Sequence, residues 1–120
     1  CSTCHSGFNF TNDGFFNNGL ELDHSDDLGR RRVSLDTLDI GKFRVPGLRN
    51  IALTAPYMHA GNLPTLEAVV DHYNRGGVGH PLQDERIRPL GLTDTEKADL
   101  IAFLESLTDE TFIADERFRE

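Results

Sequence analysis

Tryptophan is absent from this sequence of 120 residues, methionine occurs once, and cysteine occurs only twice. Hydrophobic residues make up 38% of the chain, and no run of them approaches the roughly 20 residues that a membrane-spanning helix needs. The length predicts one domain with a modest core. A core with so little apolar material would gain stability from burying a prosthetic group.

Positive charge is also scarce, because 12 Lys and Arg residues face 20 Asp and Glu residues and leave a net charge of −8. This balance argues against a nucleic-acid partner. An acidic surface would suit a basic redox partner, although solubility alone explains it equally well.

The two cysteines lie in the first five residues, Cys1-Ser2-Thr3-Cys4-His5, which form the haem c attachment motif C-x-x-C-H. Thiols at this spacing share one helical turn, so both can form thioethers with one porphyrin, and His5 follows as the proximal iron ligand. Two alternatives are half of a zinc site and a thioredoxin-like redox motif. There is no third cysteine for zinc, and no strand precedes Cys1 in this sequence.

Haem is attached to such motifs outside the cytoplasm in bacteria, so we expect an exported parent protein. Because the chain starts at the first haem cysteine, we also expect it to be a fragment with upstream sequence missing.

The remaining pattern predicts an all-α, loop-rich domain whose helices pack around one covalent haem. The haem domain is assigned to residues 1–107, and a polar tail follows at 108–120. The Asn17-Asn18-Gly19 run indicates a turn. The predicted elements are a helical turn at 1–6, a surface loop at 21–42, a short helix at 47–52, and two amphipathic helices at 64–75 and 93–107. The last helix is predicted to start with a capping box at 93–96 and to carry an apolar face formed by Leu100, Ile101, Leu104 and Leu107.

In the helix predicted at 64–75, Pro64 is placed in the first turn. Leu66, Val69, Val70 and Tyr73 fall on one apolar face. This periodicity places Tyr73 on the buried face and His72 about a hundred degrees away from it.

The sixth coordination position of the iron has four candidates in the residues alone. Met58 is the only methionine and lies in a proline-flanked loop, as in small cytochromes; His59, His72 and Tyr73 are the alternatives. Arg44 is either a partner of a haem propionate or an ordinary surface arginine.

Three stretches together closely resemble the C-terminal haem domain of the bacterial di-haem cytochrome c peroxidases and the related MauG enzymes. They are CSTCH, FRVPGLRNIALTAPYMHAGNLPTLEAVVDHYNRGG and LTDTEKADLIAFLESL. The resemblance covers nearly all of residues 1–107. It implies a periplasmic protein with two cytochrome c domains, in which this domain accepts electrons and the N-terminal haem, absent from this sequence, binds peroxide.

The resemblance also implies site residues. It moves the distal ligand to the position of Tyr73, where peroxidases usually carry methionine and MauG-type enzymes carry tyrosine, and it leaves Met58 as the second choice. It further implies a calcium ion held partly by the backbone carbonyls of Thr54 and Pro56, and a hydrogen-bonding role for His59 near the calcium or haem.

The implied partners are the N-terminal haem domain and either a small donor of the cytochrome c or cupredoxin type or a protein substrate. A homodimer is also expected. The alternative function is a mono-haem cytochrome c that carries electrons with His5 and Met58 as iron ligands.

Overall fold

The fold was obtained as a computed structural model that describes residues 1–118. It contains short helices, long connecting loops and one two-stranded sheet. Within this described range, no helix combines the length and apolar character needed to cross a membrane. The elements are β1 (Phe15–Phe16), α1 (Arg31–Ser34), β2 (Phe43–Arg44), α2 (Leu66–Arg75), α3 (Asp94–Ser106), α4 (Glu110–Ala114), and 3-10 turns at Thr37–Asp39, Ile51–Leu53 and Glu116–Phe118.

Local capping signals in the sequence start the two long helices. Thr93 and Glu96 form the predicted capping box at the start of α3, where each residue accepts a hydrogen bond from the other's backbone amide. The N-terminus of α2 differs from the prediction. Thr65 caps it by accepting from the Ala68 amide at 3.2 Å, so Pro64 lies before the helix and not in its first turn.

The buried core lies between these helices and the loop before them. Tyr57, Leu66, Val70 and Leu104 form one buried cluster, against which eight partly buried residues pack. Val45 is the one other buried apolar side chain in the described part of the chain. The radius of gyration is 15.3 Å, whereas a compact domain of this length should have one of roughly 13–14 Å.

The predicted orientation of the last turns of α2 holds only in part. Tyr73 is partly buried, as predicted, but His72 is buried more deeply, with only 1% of it exposed. The cause is tertiary, because the turn at residues 17–20 covers the side of the helix that carries His72: the His72 ring reaches the Asn18 carbonyl at 3.0 Å. Helical periodicity alone does not register a contact that spans 54 residues of chain.

The loops contain more regular structure than expected. β1 and β2 pair antiparallel with Phe15 opposite Arg44, so the prediction of an all-α domain holds only in part. The helix predicted at 47–52 is a 3-10 turn at Ile51–Leu53, and the loop predicted at 21–42 contains both α1 and a further 3-10 turn.

The predicted polar tail contains α4, whose N-cap Asp109 accepts hydrogen bonds from the Thr111 and Phe112 amides. The start of this segment is fastened to the domain, since the Asp109 amide donates to the Asn50 side chain at 2.7 Å. Residues 119–120 of the predicted tail lie outside the described residues.

Candidate haem site

Residues 1–5 form a single helical turn, as their spacing predicts. The amides of Cys4 and His5 both donate to the Cys1 carbonyl, at 3.0 and 2.9 Å. Both cysteines are free thiols; Cys1 is exposed and Cys4 is partly buried. The turn therefore places two unpaired thiols and an imidazole within one short, hydrogen-bonded segment.

The His5 imidazole is oriented by a hydrogen bond at Nδ1. Its Nδ1 lies 2.9 Å from the Phe10 carbonyl, which can only accept a hydrogen bond, so Nδ1 carries the proton. Burial lowers the pKa of His5, which favours the neutral ring. Its Nε2 is then a lone-pair donor with a fixed orientation, which is the usual arrangement of a metal-bound histidine.

Two of the sixth-ligand candidates meet at one amide. The Asn18 Nδ2 group lies 3.4 Å from the Tyr73 hydroxyl and 3.4 Å from the Met58 sulfur. Tyr73 comes from α2 and Met58 from the loop before it, where Met58 adopts a positive φ of 72°. The fold thus brings together two side chains that the sequence could only name as alternatives.

The surroundings of Tyr73 change the acidity of its hydroxyl. Burial raises the pKa of Tyr73, and the hydrogen bond from the Asn18 amide opposes that change. Two thiols, an imidazole with an Nε2 lone pair and an oxygen or sulfur donor are the groups that bind haem c. The residues present fit that group.

Comparison with known proteins supports the same assignment. MauG of Methylorubrum extorquens is 39% identical over 109 residues, which are 89% of this chain and 30% of that protein. A cytochrome c peroxidase of Denitromonas iodatirespirans is 48% identical over 86 residues, 71% of this chain and 23% of that protein. No family model matches the chain.

A crystal structure described as that of a MauG-like protein associated with microbial copper homeostasis has a TM-score of 0.92 and 39% identity, covering 99% of this chain and 42% of that one. The chain belongs to the family of MauG and the bacterial cytochrome c peroxidases. Membership implies covalent haem c. The chain spans less than a third of the length of the two curated relatives above, so these proteins contain much more than this domain.

Arg44 and Arg49 of this MauG-family domain are engaged with protein groups. Arg44 forms an ion pair with Asp13 at the surface, with Arg44 on β2. Arg49 donates to the Phe8 carbonyl at 2.9 Å and lies 4.1 Å above the Phe8 ring. The assignment of Arg44 to a haem propionate stays a prediction.

His59 does not contact the groups around Asn18. Its Nε2 lies 2.9 Å from the Asp27 carboxylate, and its ring stacks on Phe43 with centroids 3.9 Å apart. Thr54 and Pro56 are exposed, and the Thr54 hydroxyl donates to the Ile51 carbonyl at 3.0 Å. The assignment of their backbone carbonyls to calcium, which the family resemblance implies, stays a prediction.

Sequence reasoning missed Asn18 as part of the site, and it considered His72 only as a possible iron ligand. The Asn17-Asn18-Gly19 run was interpreted only as a turn, and His72 as a residue off the buried face. Asn17 and His72 are in fact the two largest side chains that are fully buried in the described part of the chain. Two consecutive asparagines beside an aromatic-rich stretch are the one signal that could have indicated a buried polar turn.

Proposed function

We propose that this chain is the C-terminal, electron-transferring haem domain of a periplasmic di-haem protein. The parent protein would be a cytochrome c peroxidase, which reduces hydrogen peroxide with electrons from a small donor, or a MauG-like oxidase. The domain would have the cytochrome c-like architecture, with Cys1 and Cys4 attaching the haem.

One observation carries the proposal: the Tyr73 hydroxyl and the Met58 sulfur, two groups able to bind iron, both lie 3.4 Å from the Asn18 amide in a chain that begins with a haem-attachment turn. Tyr73 is held by a rigid element, since Gly76 ends α2 in the left-handed conformation and donates to the Tyr73 and His72 carbonyls. Local sequence constrains each group separately, and only the fold unites them.

Each residue has a defined task in this assignment. His5 would offer Nε2 to the iron while the Phe10 carbonyl fixes its ring. Tyr73, which is hydrogen-bonded to Asn18, would offer its hydroxyl oxygen. Haem would supply one-electron chemistry when bound. An anionic oxygen ligand favours ferric over ferrous iron. Tyr73 therefore favours MauG-like ligation over that of a conventional high-potential cytochrome.

The second candidate function is a mono-haem electron carrier with His5 and Met58 as ligands. It is favoured by the position of the Met58 sulfur, which lies at the same Asn18 amide as the Tyr73 hydroxyl. Upstream sequence with a second C-x-x-C-H motif would rule it out.

The remaining parts of the proposal concern ions and partners. Calcium would be bound through the Thr54 and Pro56 carbonyls, and Arg44 would approach a propionate by exchanging its Asp13 partner. The partners would be the N-terminal haem domain, a cytochrome c or cupredoxin donor or a protein substrate, and a second copy in a homodimer. The net charge of −8 supports a basic redox partner.

The test is ligand replacement in the haem-loaded domain, produced together with a bacterial cytochrome c maturation system. A pyridine haemochrome assay and the intact mass should report one covalent haem. Tyr73→Phe should then change the ferric absorption and electron paramagnetic resonance spectra, because it removes the ligand oxygen and keeps the ring.

Met58→Leu is the matched control, since it removes the other candidate donor at the same amide. It should leave the ferric spectra nearly unchanged. A thioether-to-iron band in the wild-type protein that disappears only in Met58→Leu would instead establish the carrier with His5 and Met58. Absence of covalent haem would refute both functions.

A further inference from the structure

Asn18 is held in place by hydrogen bonds that its side chain and its backbone carbonyl accept from other residues. Its Oδ1 accepts from the Leu20 amide at 3.2 Å, and its carbonyl accepts from His72 Nε2 at 3.0 Å. The next residue is held as well, because the Gly19 amide donates to the Asn17 side chain and the Gly19 carbonyl accepts from the Val78 amide, both at 2.9 Å.

These contacts determine which way the Asn18 amide points. The Leu20 amide can only donate, so the side-chain atom facing it must be the oxygen. The NH₂ group therefore faces Tyr73 and Met58. Since an NH₂ group has two protons, it can serve both acceptors at once, the hydroxyl oxygen and the thioether sulfur, each 3.4 Å away.

The two acceptors are unequal. A thioether sulfur is a weak acceptor, whereas a hydrogen bond to an ionised oxygen is about twice as strong as one between neutral groups. A fixed amide donor at this point therefore stabilises an oxygen ligand far more than a sulfur ligand. We propose that Asn18 is a positioning residue that selects Tyr73 over Met58 as the axial ligand of the haem iron.

His72 completes the arrangement. Its Nε2 donates to the Asn18 carbonyl, so α2 holds the backbone of Asn18 through His72. The next residue of α2, Tyr73, accepts a hydrogen bond from the Asn18 side-chain amide. His72 Nδ1 is buried without a hydrogen-bond partner in the described residues. A buried nitrogen without a partner destabilises the fold, so packing alone does not favour a histidine at this position.

This inference rests on the proposed haem site, and Asn18→Asp tests it. The variant has nearly the same shape and keeps the oxygen that accepts from the Leu20 amide. It replaces the donor facing Tyr73 with a second carboxylate oxygen, which repels an anionic ligand. In the ferric haem-loaded protein, we expect loss of the tyrosine-ligand spectrum and the appearance of a thioether-to-iron band. That band should be absent from Asn18→Asp combined with Met58→Leu.

Asn12→Asp is the matched control. Asn12 also accepts from the backbone amide two residues later, that of Gly14, and also donates through Nδ2, but to the Thr3 carbonyl. It should keep the tyrosine-ligand spectrum. If Asn12→Asp loses that spectrum to the same extent, the effect is a general one of added charge and the selection by Asn18 is refuted.

Two further outcomes separate this inference from the proposed function. If Tyr73→Phe leaves the wild-type spectrum unchanged, the tyrosine axis itself fails, and the inference fails with it. If Tyr73→Phe changes the spectrum while Asn18→Asp retains the full tyrosine signature, only the role of Asn18 is overturned. Should Asn18→Asp not accumulate with haem, Asn18→Ala removes the donor without adding charge and is judged by the same loss of signature.

Discussion

The loop half of the domain, residues 1–62, differs sharply from the helix pair formed by α2 and α3. The helix pair has capped ends and contributes Leu66, Val70 and Leu104 to the buried cluster. The loop half contains every non-glycine residue with positive φ in the described chain: Phe10, Asp13, Leu35, Asn50 and Met58. Such conformations cost about 1–3 kcal/mol each and persist only where surrounding contacts enforce them.

The difference indicates where the two halves obtain their stability. The helix pair follows ordinary rules of capping and apolar packing. The loop half exposes 81% of Phe8 and buries asparagine as deeply as any apolar residue. Its order must come from hydrogen bonds and, in our account, from the haem attached at Cys1 and Cys4.

The largest effect in the helix pair is expected from Leu104→Ala. Leu104 is 8% exposed and lies in the small cluster with Tyr57, Leu66 and Val70. Truncating a buried leucine leaves a cavity and should lower the free energy of unfolding by about 2–5 kcal/mol. Urea unfolding of the haem-loaded protein measures the loss. Leu53→Ala, at a side chain that is 59% exposed, is the control and should change stability much less.

In the loop half, Asn17→Ala should have a smaller effect, and for a different reason. Asn17 is 1% exposed, accepts from the Gly19 amide at 2.9 Å and lies 3.3 Å from the Ile40 carbonyl. Removing it leaves those buried groups without a partner, at a cost of about 1–3 kcal/mol. Asn62→Ala, at an exposed asparagine, should stay within about 0.5 kcal/mol. Equal losses in the two variants would show that the buried turn does not stabilise the loop half.

The smallest effect should come from the α3 capping box. Thr93→Ala should cost about 1 kcal/mol at neutral pH. Hydrogen bonds from Thr93 lower the pKa of Glu96 below its ordinary 4.5, so the stability that Glu96 contributes is present above pH 4.5 and lost as pH falls through the folded pKa. Of the hydrogen bonds to the Glu96 carboxylate, Thr93→Ala removes only that of the hydroxyl, so its difference from wild type should shrink as pH falls below 4.5. A difference that is constant with pH would contradict the contribution of that hydroxyl bond.

The helix pair was also the part that the sequence predicted best. Thr93, Glu96 and the apolar spacing of α3 are local signals, and they identified its start and its packing face. The signals failed for His72, because its burial depends on the turn around Asn18, which comes from far away in the chain. They also left the sixth ligand open, because Met58 and Tyr73 are brought together only by the fold.

The motif Cys1–His5 could be predicted in part from the sequence. Its chemistry is readable from five residues, and the structure adds the Phe10 carbonyl that orients His5. The meeting of Tyr73 and Met58 at one amide could not be predicted, since no periodicity connects residue 18 with residues 58 and 73. Local signals thus predict elements and cofactor, whereas the choice of ligand is a property of the assembled loops.

Hydrogen exchange with and without haem tests the central claim most directly. The comparison is between the haem-loaded wild type and the Cys1→Ser, Cys4→Ser double variant, which cannot attach haem. In the variant, the Thr11 and Val45 amides, bonded to the Ser6 and Gly14 carbonyls at 2.9 and 2.8 Å, should lose their protection, while the amides of α3 should keep most of theirs. Protection of the loop half that is unchanged without haem would contradict the account.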